Sequence, residues 1–202
     1  MFDISFGASG VAGDGLESMY QEVILDAAKN PHGKTHFLST DALATAELQE
    51  ETANSETQKS AEITLNNAHE GCALGQSHQF NPTCGDEVTM RVEIAADENN
   101  AKNQIVKSIK WDGHGCSISQ ASLSMMVDLV EGKSVEEALK LDALFHKLME
   151  SRGAGLQNEE EEDALEDAMV LQGVSRYPMR IKCALLAWEG LKDSIAKAMK
   201  SL

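Results

Sequence analysis

Two runs of alternating residues in the middle of the chain limit its fold most strongly. Apolar side chains occupy every second position from Val88 to Ile94, and Ile105, Ile109 and Trp111 repeat this pattern further along. A period of two is typical of strands with one buried face. The polar segment DENNAKN separates the two runs, so we predict an antiparallel hairpin.

Helical periodicity surrounds this hairpin. The pattern predicts a first helix over 16–30, ended by Pro31, and a short helix over 41–51. Ser117 and Gln120 have capping-box spacing before a helix over 117–131, and Ser134 and Glu137 repeat it before the next. Further helices are predicted through 165–171 and from Pro178 to about residue 195.

The fold class that follows is α+β, a small antiparallel sheet of about three strands packed against several helices. Residues 63–65 are the candidate third strand, and NNAHEGCALGQSHQ is interpreted as a loop. We expect a flexible tail over 1–15 and a single domain over 16–202. An acidic insertion at about 36–80 interrupts that domain.

Charge and hydropathy exclude several functions. The net charge of −16 repels phosphate backbones and anionic lipid, so neither nucleic acid nor a membrane surface is expected as a partner. No apolar run approaches the roughly 20 residues that span a bilayer. The first residues lack the basic start of a signal peptide. We therefore expect a cytoplasmic protein, in which the four cysteines are thiols or metal ligands.

Three of these cysteines lie at the ends of predicted elements. Cys84 precedes a strand, Cys116 begins a helix and Cys183 lies in the first turns of the last helix, while Asp86 follows Cys84 by two positions. Three thiolates and one carboxylate would form a four-coordinate site suited to zinc. Spacing alone leaves the alternative open, because buried inert cysteines are common.

The segments NPTCGD, WDGHGCSISQAS and YPMRIKCALLAW, together with MYQEVILDAAKNPHG near the start, resemble the U-type iron–sulfur cluster assembly proteins, the NifU-like family that includes IscU and SufU. The resemblance implies an α+β fold with a three-stranded sheet. It places the metal ligands on Cys84, Asp86, Cys116 and Cys183. About 50 residues separate KNP from NPTCGD, which departs from the short connection of the family.

Within the family, the chain looks like the SufU branch. Lys182 stands where the IscU branch has histidine, and residues 132–172 supply the extra stretch between the second and third cysteines. This resemblance implies a tightly bound Zn²⁺ and a sulfurtransferase role, in which Cys84 accepts persulfide sulfur from a SufS-type cysteine desulfurase. Downstream cluster-assembly proteins would then receive the sulfur. Such a protein is a partner of the desulfurase rather than a stand-alone enzyme.

Two alternatives stay open at this point. The same ligands could hold iron or a [2Fe-2S] cluster on an assembly scaffold, or the zinc could be purely structural. Four further residues allow both an ordinary structural interpretation and a functional one. Cys72 is interpreted as an ordinary loop thiol and His114 as a turn histidine near the metal, while Arg180 and Lys182 could be surface cations or partner contacts.

Overall fold

A computed structural model describes residues 11–37, 69, 71–97 and 103–201, the first seven of them as backbone only. The helix predicted over 41–51 and the strand predicted over 63–65 lie outside these residues. None of the helices in the described residues combines the length and the hydropathy that a membrane span requires.

The sheet has three antiparallel strands in the order β1-β2-β3, which are Cys72–Asn81, Asp86–Ala96 and Gln104–His114. The hairpin of β2 and β3 is confirmed, with Met90 opposite Trp111 and a register shift at Glu93 and Ile94. The third strand is where a loop was predicted, so that prediction is wrong from Cys72 onward. Residues 72–80 therefore belong to the sheet.

The physical reason for this error lies in the side chains of β1. Ala73, Gly75 and Ser77 are the positions that face the interior. Two of them carry almost no apolar surface, so the strand lacks the alternation of large apolar side chains that marks β2. Small residues are needed here because the last helix packs directly on β1.

Five α-helices and one 3-10 helix are described. They are α1 (Val11–Lys29), α2 (Ser117–Val130), α3 (Val135–Glu150), α4 (Glu159–Leu165), a 3-10 helix (Glu166–Arg176) and α5 (Pro178–Met199). Helix α1 begins five residues before its predicted start. The helix predicted through 165–171 is instead divided at Glu166, whose φ of 46° interrupts the α-helical path. Pro178 opens α5 as predicted.

The core lies between the sheet and the helices, with α5 packed on β1 and β2 and α2 packed on α1 and α5. Few aromatic residues are available, so methionine and aliphatic side chains fill much of it. Trp188 of α5 stacks on Phe145 of α3 with 4.7 Å between ring centroids. The largest fully buried side chains are those of Trp111, Trp188, Phe145, Met90, Ile94, Ile109, Met126, Leu148, Met149, Leu165, Leu171 and Leu191.

The two predicted capping boxes have different outcomes. The box at Ser134 is confirmed, because its hydroxyl accepts from the backbone N–H of Glu137 and the Glu137 carboxylate accepts from the Ser134 N–H. The box at Ser117 is wrong, because Cys116 is the N-cap of α2 and makes no side-chain capping bond. Gln120 instead donates to the carbonyl of Gly115.

This difference gives a stability prediction. We expect Ser134→Ala to lower the free energy of unfolding by about 1 kcal/mol, the usual cost of losing an N-cap, and Ser117→Ala to change it far less. Hydrogen bonds from Ser134 lower the pKa of Glu137, so the box stabilises the fold above the carboxyl's unfolded-state pKa. That contribution is lost as the pH falls through the lowered pKa. Urea unfolding of both variants at neutral and acidic pH measures the effect, and equal costs for the two would contradict it.

Candidate metal centre

Three element ends converge at one end of the sheet. The turn between β1 and β2 carries Cys84, the first residue of β2 after the turn is Asp86, the N-terminus of α2 carries Cys116, and the first turns of α5 carry Cys183. All four predicted ligands therefore lie in one region, although Cys84 and Cys183 are 99 positions apart in the sequence.

The two thiols of Cys84 and Cys183 are in direct contact. Their Sγ atoms lie 2.9 Å apart, well beyond the roughly 2.05 Å of a disulfide bond, and both cysteines are free. Cys84 is exposed, whereas Cys183 is 4% exposed. One thiol therefore faces solvent while its partner is held inside the protein.

Asp86 connects this thiol pair to Cys116. Asp86 as a residue is 2% exposed. Oδ1 accepts a hydrogen bond from the Cys116 backbone N–H at 3.0 Å, and Oδ2 lies 3.4 Å from the Cys116 Sγ. Burial alone would raise the pKa of Asp86, but hydrogen bonds from Cys183, Cys84 and Cys116 outweigh it and hold that pKa below its ordinary value. Asp86 is therefore anionic at neutral pH.

The pKa of the Cys183 thiol is shifted in the opposite direction, away from the charged form. Burial raises its pKa far above the ordinary value, and the hydrogen bonds to Cys84 and Asp86 and the nearby charge of Cys116 raise it further. A thiolate at this position is unfavourable without a compensating positive charge. A bound cation would supply that charge, because metal binding and thiol deprotonation are linked.

The donor atoms fit a metal ion. One ligand atom from each of Cys84, Asp86 and Cys183 lies within 4.8 Å of the other two. The Sγ of Cys116 lies 3.4 Å from Oδ2 of Asp86 but outside this group of three, so it would have to move closer to the other two ligands to supply a fourth donor. A set of four sulfur and oxygen donors suits a tetrahedral Zn²⁺ ion, with Zn–S distances of about 2.3 Å.

The turn that carries Cys84 is open. Gly85 has φ of +75°, and a side chain added there would meet no atom within 4 Å. The left-handed conformation favours glycine at this position. Because Cys84 is exposed on a turn with free space around it, its thiol can be reached by a partner protein.

Asn81 is a site residue that the sequence analysis missed. It is 4% exposed, and its Nδ2 donates to the Sγ of Cys84 at 2.9 Å and lies 3.6 Å from the Sγ of Cys183. Its Oδ1 accepts from the N–H of Thr83 at 3.1 Å. The run Asn-Pro-Thr is a turn signal, and an asparagine that closes such a turn beside a cysteine is the clue that could have identified it.

The other residues considered earlier are not part of this cluster. His114 ends β3 on the outer face of the sheet, opposite Glu87. Arg180 lies over the Tyr177 ring at 4.8 Å, and Lys182 is exposed. Cys72 begins β1, at the far end of that strand from Asn81, and Lys107 Nζ lies 3.6 Å from its Sγ.

The fold and the cluster together define a small α+β protein with a candidate metal site, in which the exposed Cys84 and Cys116 and the buried Asp86 and Cys183 meet at element ends. A family model described as the NifU-like N terminal domain matches residues 55–184. The chain belongs to this family, which includes the IscU and SufU proteins.

Relatives with both names are similar to the chain over most of its length. The zinc-dependent sulfurtransferase SufU of Bacillus subtilis is 32% identical over 90% of this chain and 92% of its own. The iron–sulfur cluster assembly scaffold protein IscU of Streptococcus pyogenes is 41% identical over 91% of this chain and 86% of its own. The solved structure of a SUF-system scaffold protein, FiSufU from Fervidobacterium islandicum, is 27% identical with a TM-score of 0.52, covering 89% of this chain and 98% of that one.

Proposed function

We propose that this protein is a zinc-dependent sulfur acceptor, which takes persulfide sulfur from a SufS-type cysteine desulfurase for iron–sulfur cluster assembly. The observation that carries the proposal is the asymmetry of the thiol pair, in which Cys84 is exposed and Cys183 is buried at 2.9 Å from it. An exposed thiol held beside metal-binding groups can meet a partner's sulfur. The similarity to a relative named as a zinc-dependent sulfurtransferase supports the same role.

Four residues of the chain would hold the zinc ion, namely Cys84, Asp86, Cys116 and Cys183. When bound, zinc keeps its cysteine ligands deprotonated at neutral pH. Hydrogen bonds lower the pKa of the Asp86 carboxyl and keep it anionic, whereas burial raises the pKa of the Cys183 thiol and disfavours its thiolate. A bound cation would stabilise negative charge on both groups. Reducing conditions in the cytoplasm, where we place the protein, would keep the thiols free.

The transfer step uses Cys84 as nucleophile. Its thiolate would attack the outer sulfur of the persulfide on the desulfurase, forming a new S–S bond at Cys84 as the original S–S bond breaks. The desulfurase cysteine leaves as a thiolate, so electrons balance without an external oxidant. Asn81 Nδ2, which donates to the Cys84 Sγ, would orient the sulfur and stabilise its negative charge.

A scaffold role is the second candidate, because the same thiols and carboxylate can bind iron and because a relative carries the scaffold name. The two roles differ in what the protein retains. A sulfur acceptor holds zinc and gains persulfide sulfur, whereas a scaffold gains iron and sulfide together.

The test is turnover of a SufS-type desulfurase on cysteine, with and without the zinc-loaded protein. We expect an increase of at least tenfold, because the acceptor thiol removes the persulfide that otherwise stalls the desulfurase. No increase, together with bound iron and sulfide after anaerobic reconstitution, would support the scaffold instead. No increase and no bound cluster would indicate a structural zinc site.

Asp86 provides a prediction for metal binding. We expect Asp86→Ala to weaken zinc affinity at least tenfold, because it removes a buried anionic ligand and the partner of the Cys116 N–H. Competition with a chromogenic chelator measures the affinity. Asp163→Asn, an exposed substitution on α4, is the control and should bind zinc as the unaltered protein does. Equal affinity for both variants would remove Asp86 from the ligand set.

A further inference from the structure

Buried polar atoms without a hydrogen-bond partner lie on α3 and α5, outside the cysteine cluster. They are Oδ1 of Asp142, Nε2 of His146 and Nε1 of Trp188. Because burying such an atom unpaired costs free energy, native proteins normally supply a partner in protein, water or a bound ion. Two of the three atoms belong to residues that are common metal ligands.

Helix geometry brings these two ligands together. Asp142 and His146 are four positions apart on α3, so their side chains share one face. The His146 Nε2 lies 3.6 Å from Oδ1 of Asp142 and 3.5 Å from Oε1 of Glu189 on α5. The imidazole nitrogen is therefore placed between carboxylates from two different helices.

The two distances are informative. Both exceed the 2.7–3.2 Å of an ordinary N–H···O hydrogen bond. Two ligands that bind one zinc-sized ion at about 2.0–2.2 Å with tetrahedral angles lie about 3.3–3.6 Å apart. Both nitrogen–oxygen distances around His146 are thus too wide for ordinary hydrogen bonds, and each pair taken alone has the separation of two ligands on one ion.

The local charges also lack compensation. The Asp142 side chain is 6% exposed. Burial raises the pKa of its carboxyl, and although the charges of His146 and Lys192 lower that pKa, they do not offset the burial, which Glu189 reinforces. A divalent cation beside Asp142 would supply the missing positive charge.

We propose that Asp142, His146 and Glu189 form a second metal site, which binds a divalent first-row transition-metal ion between α3 and α5. One imidazole nitrogen and two carboxylates suit Zn²⁺, Co²⁺ or Fe²⁺, whereas the cysteine cluster has sulfur donors. Water molecules would complete the coordination.

The donor atoms of Asp142, His146 and Glu189 do not all lie within 4.8 Å of one another, so Glu189 must move for the three residues to share an ion. Among the described residues, only Cys84, Asp86 and Cys183 have three donor atoms that all lie within 4.8 Å of one another. The Glu189 side chain is 50% exposed, so it is free to rotate toward His146 and close the site. A bound ion would then join α3 to α5, the helix that also carries Cys183 about 9 Å away along its axis.

Cobalt binding to the zinc-loaded protein tests this site independently of the proposed sulfur transfer. Equilibrium dialysis with metal analysis should find one Co²⁺ per chain in addition to the zinc, with weak visible bands and no thiolate charge-transfer absorption. We expect His146→Gln and Glu189→Gln each to weaken this binding at least tenfold. His32→Gln is the matched control, because His32 also pairs with a carboxylate, Asp128, but on the exposed surface.

Two results would overturn the proposal. One is no Co²⁺ bound beyond the cysteine cluster, which would assign the unpartnered atoms to a buried water. The other is unchanged Co²⁺ binding in His146→Gln or Glu189→Gln. Circular dichroism checks the fold of each variant, and because Glu189 is half exposed its substitution remains informative even if His146→Gln does not fold.

Discussion

Replacing Cys84 by serine is expected to abolish stimulation of the desulfurase, so that the increase of at least tenfold falls back to the rate seen without this protein. A serine hydroxyl is far less acidic than a thiol, so it supplies no nucleophile for the persulfide sulfur at neutral pH. The fold should persist, because Cys84 is exposed on a turn and contributes no core packing. Turnover on cysteine and circular dichroism measure the two effects.

Cys72→Ser is the matched control for this prediction. Cys72 begins β1 and Asn81 ends it, so Cys72 lies about 30 Å along the strand from the Cys84 turn. We expect this variant to stimulate the desulfurase as the unaltered protein does. Stimulation that survives in Cys84→Ser, or that is lost in Cys72→Ser, would contradict the role given to Cys84.

Gly75→Ala has the largest expected effect on stability. A Cβ atom at Gly75 would lie 1.8 Å from the carbonyl oxygen of Ser194 and 2.7 Å from the backbone nitrogen of Ala198. Both atoms belong to the backbone of α5, so the clash can be relieved only by moving the helix away from β1. We expect the free energy of unfolding to fall by about 2–4 kcal/mol, which is at the upper end for overpacking.

Gly173→Ala is the control, because a Cβ there would meet no atom within 4 Å. Its effect should stay within about 0.5 kcal/mol. Urea unfolding at a fixed zinc concentration measures both variants, since bound metal shifts apparent stability. Because α5 carries Cys183, Gly75→Ala should also weaken zinc binding. Equal unfolding midpoints for the two variants would show that β1 and α5 are not in this close contact.

The sequence predicts the sheet only where large side chains carry the pattern. Alternating Val and Ile residues made the hairpin of β2 and β3 predictable, and Pro178 marked the start of α5. Strand β1 was missed because Gly75 and Ser77 occupy its interior positions, where close packing of α5 excludes the large side chains that produce a visible alternation. At this strand, the small side chains that close packing requires remove the apolar alternation by which a strand is recognised in a sequence.

The metal centre could be predicted only from the sequence motifs around its cysteines and not from their spacing. Spacing could not join Cys84 to Cys183, because their contact is made across the whole fold, and only the motifs around the cysteines suggested a shared site. Asn81 escaped notice because its role depends on a contact with the Cys84 sulfur. The polar group around His146 was also invisible in the sequence, since the opposing Glu189 belongs to a separate helix.

The most direct test of the central claim is the mass of the protein after it has been incubated with a SufS-type desulfurase and cysteine. We expect the zinc-loaded chain to gain the mass of one sulfur atom, and we expect peptide analysis to map this sulfur to Cys84. Sulfur mapped instead to Cys116, Cys183 or Cys72, or an unchanged mass under conditions in which the desulfurase is active, would contradict the proposed role of Cys84.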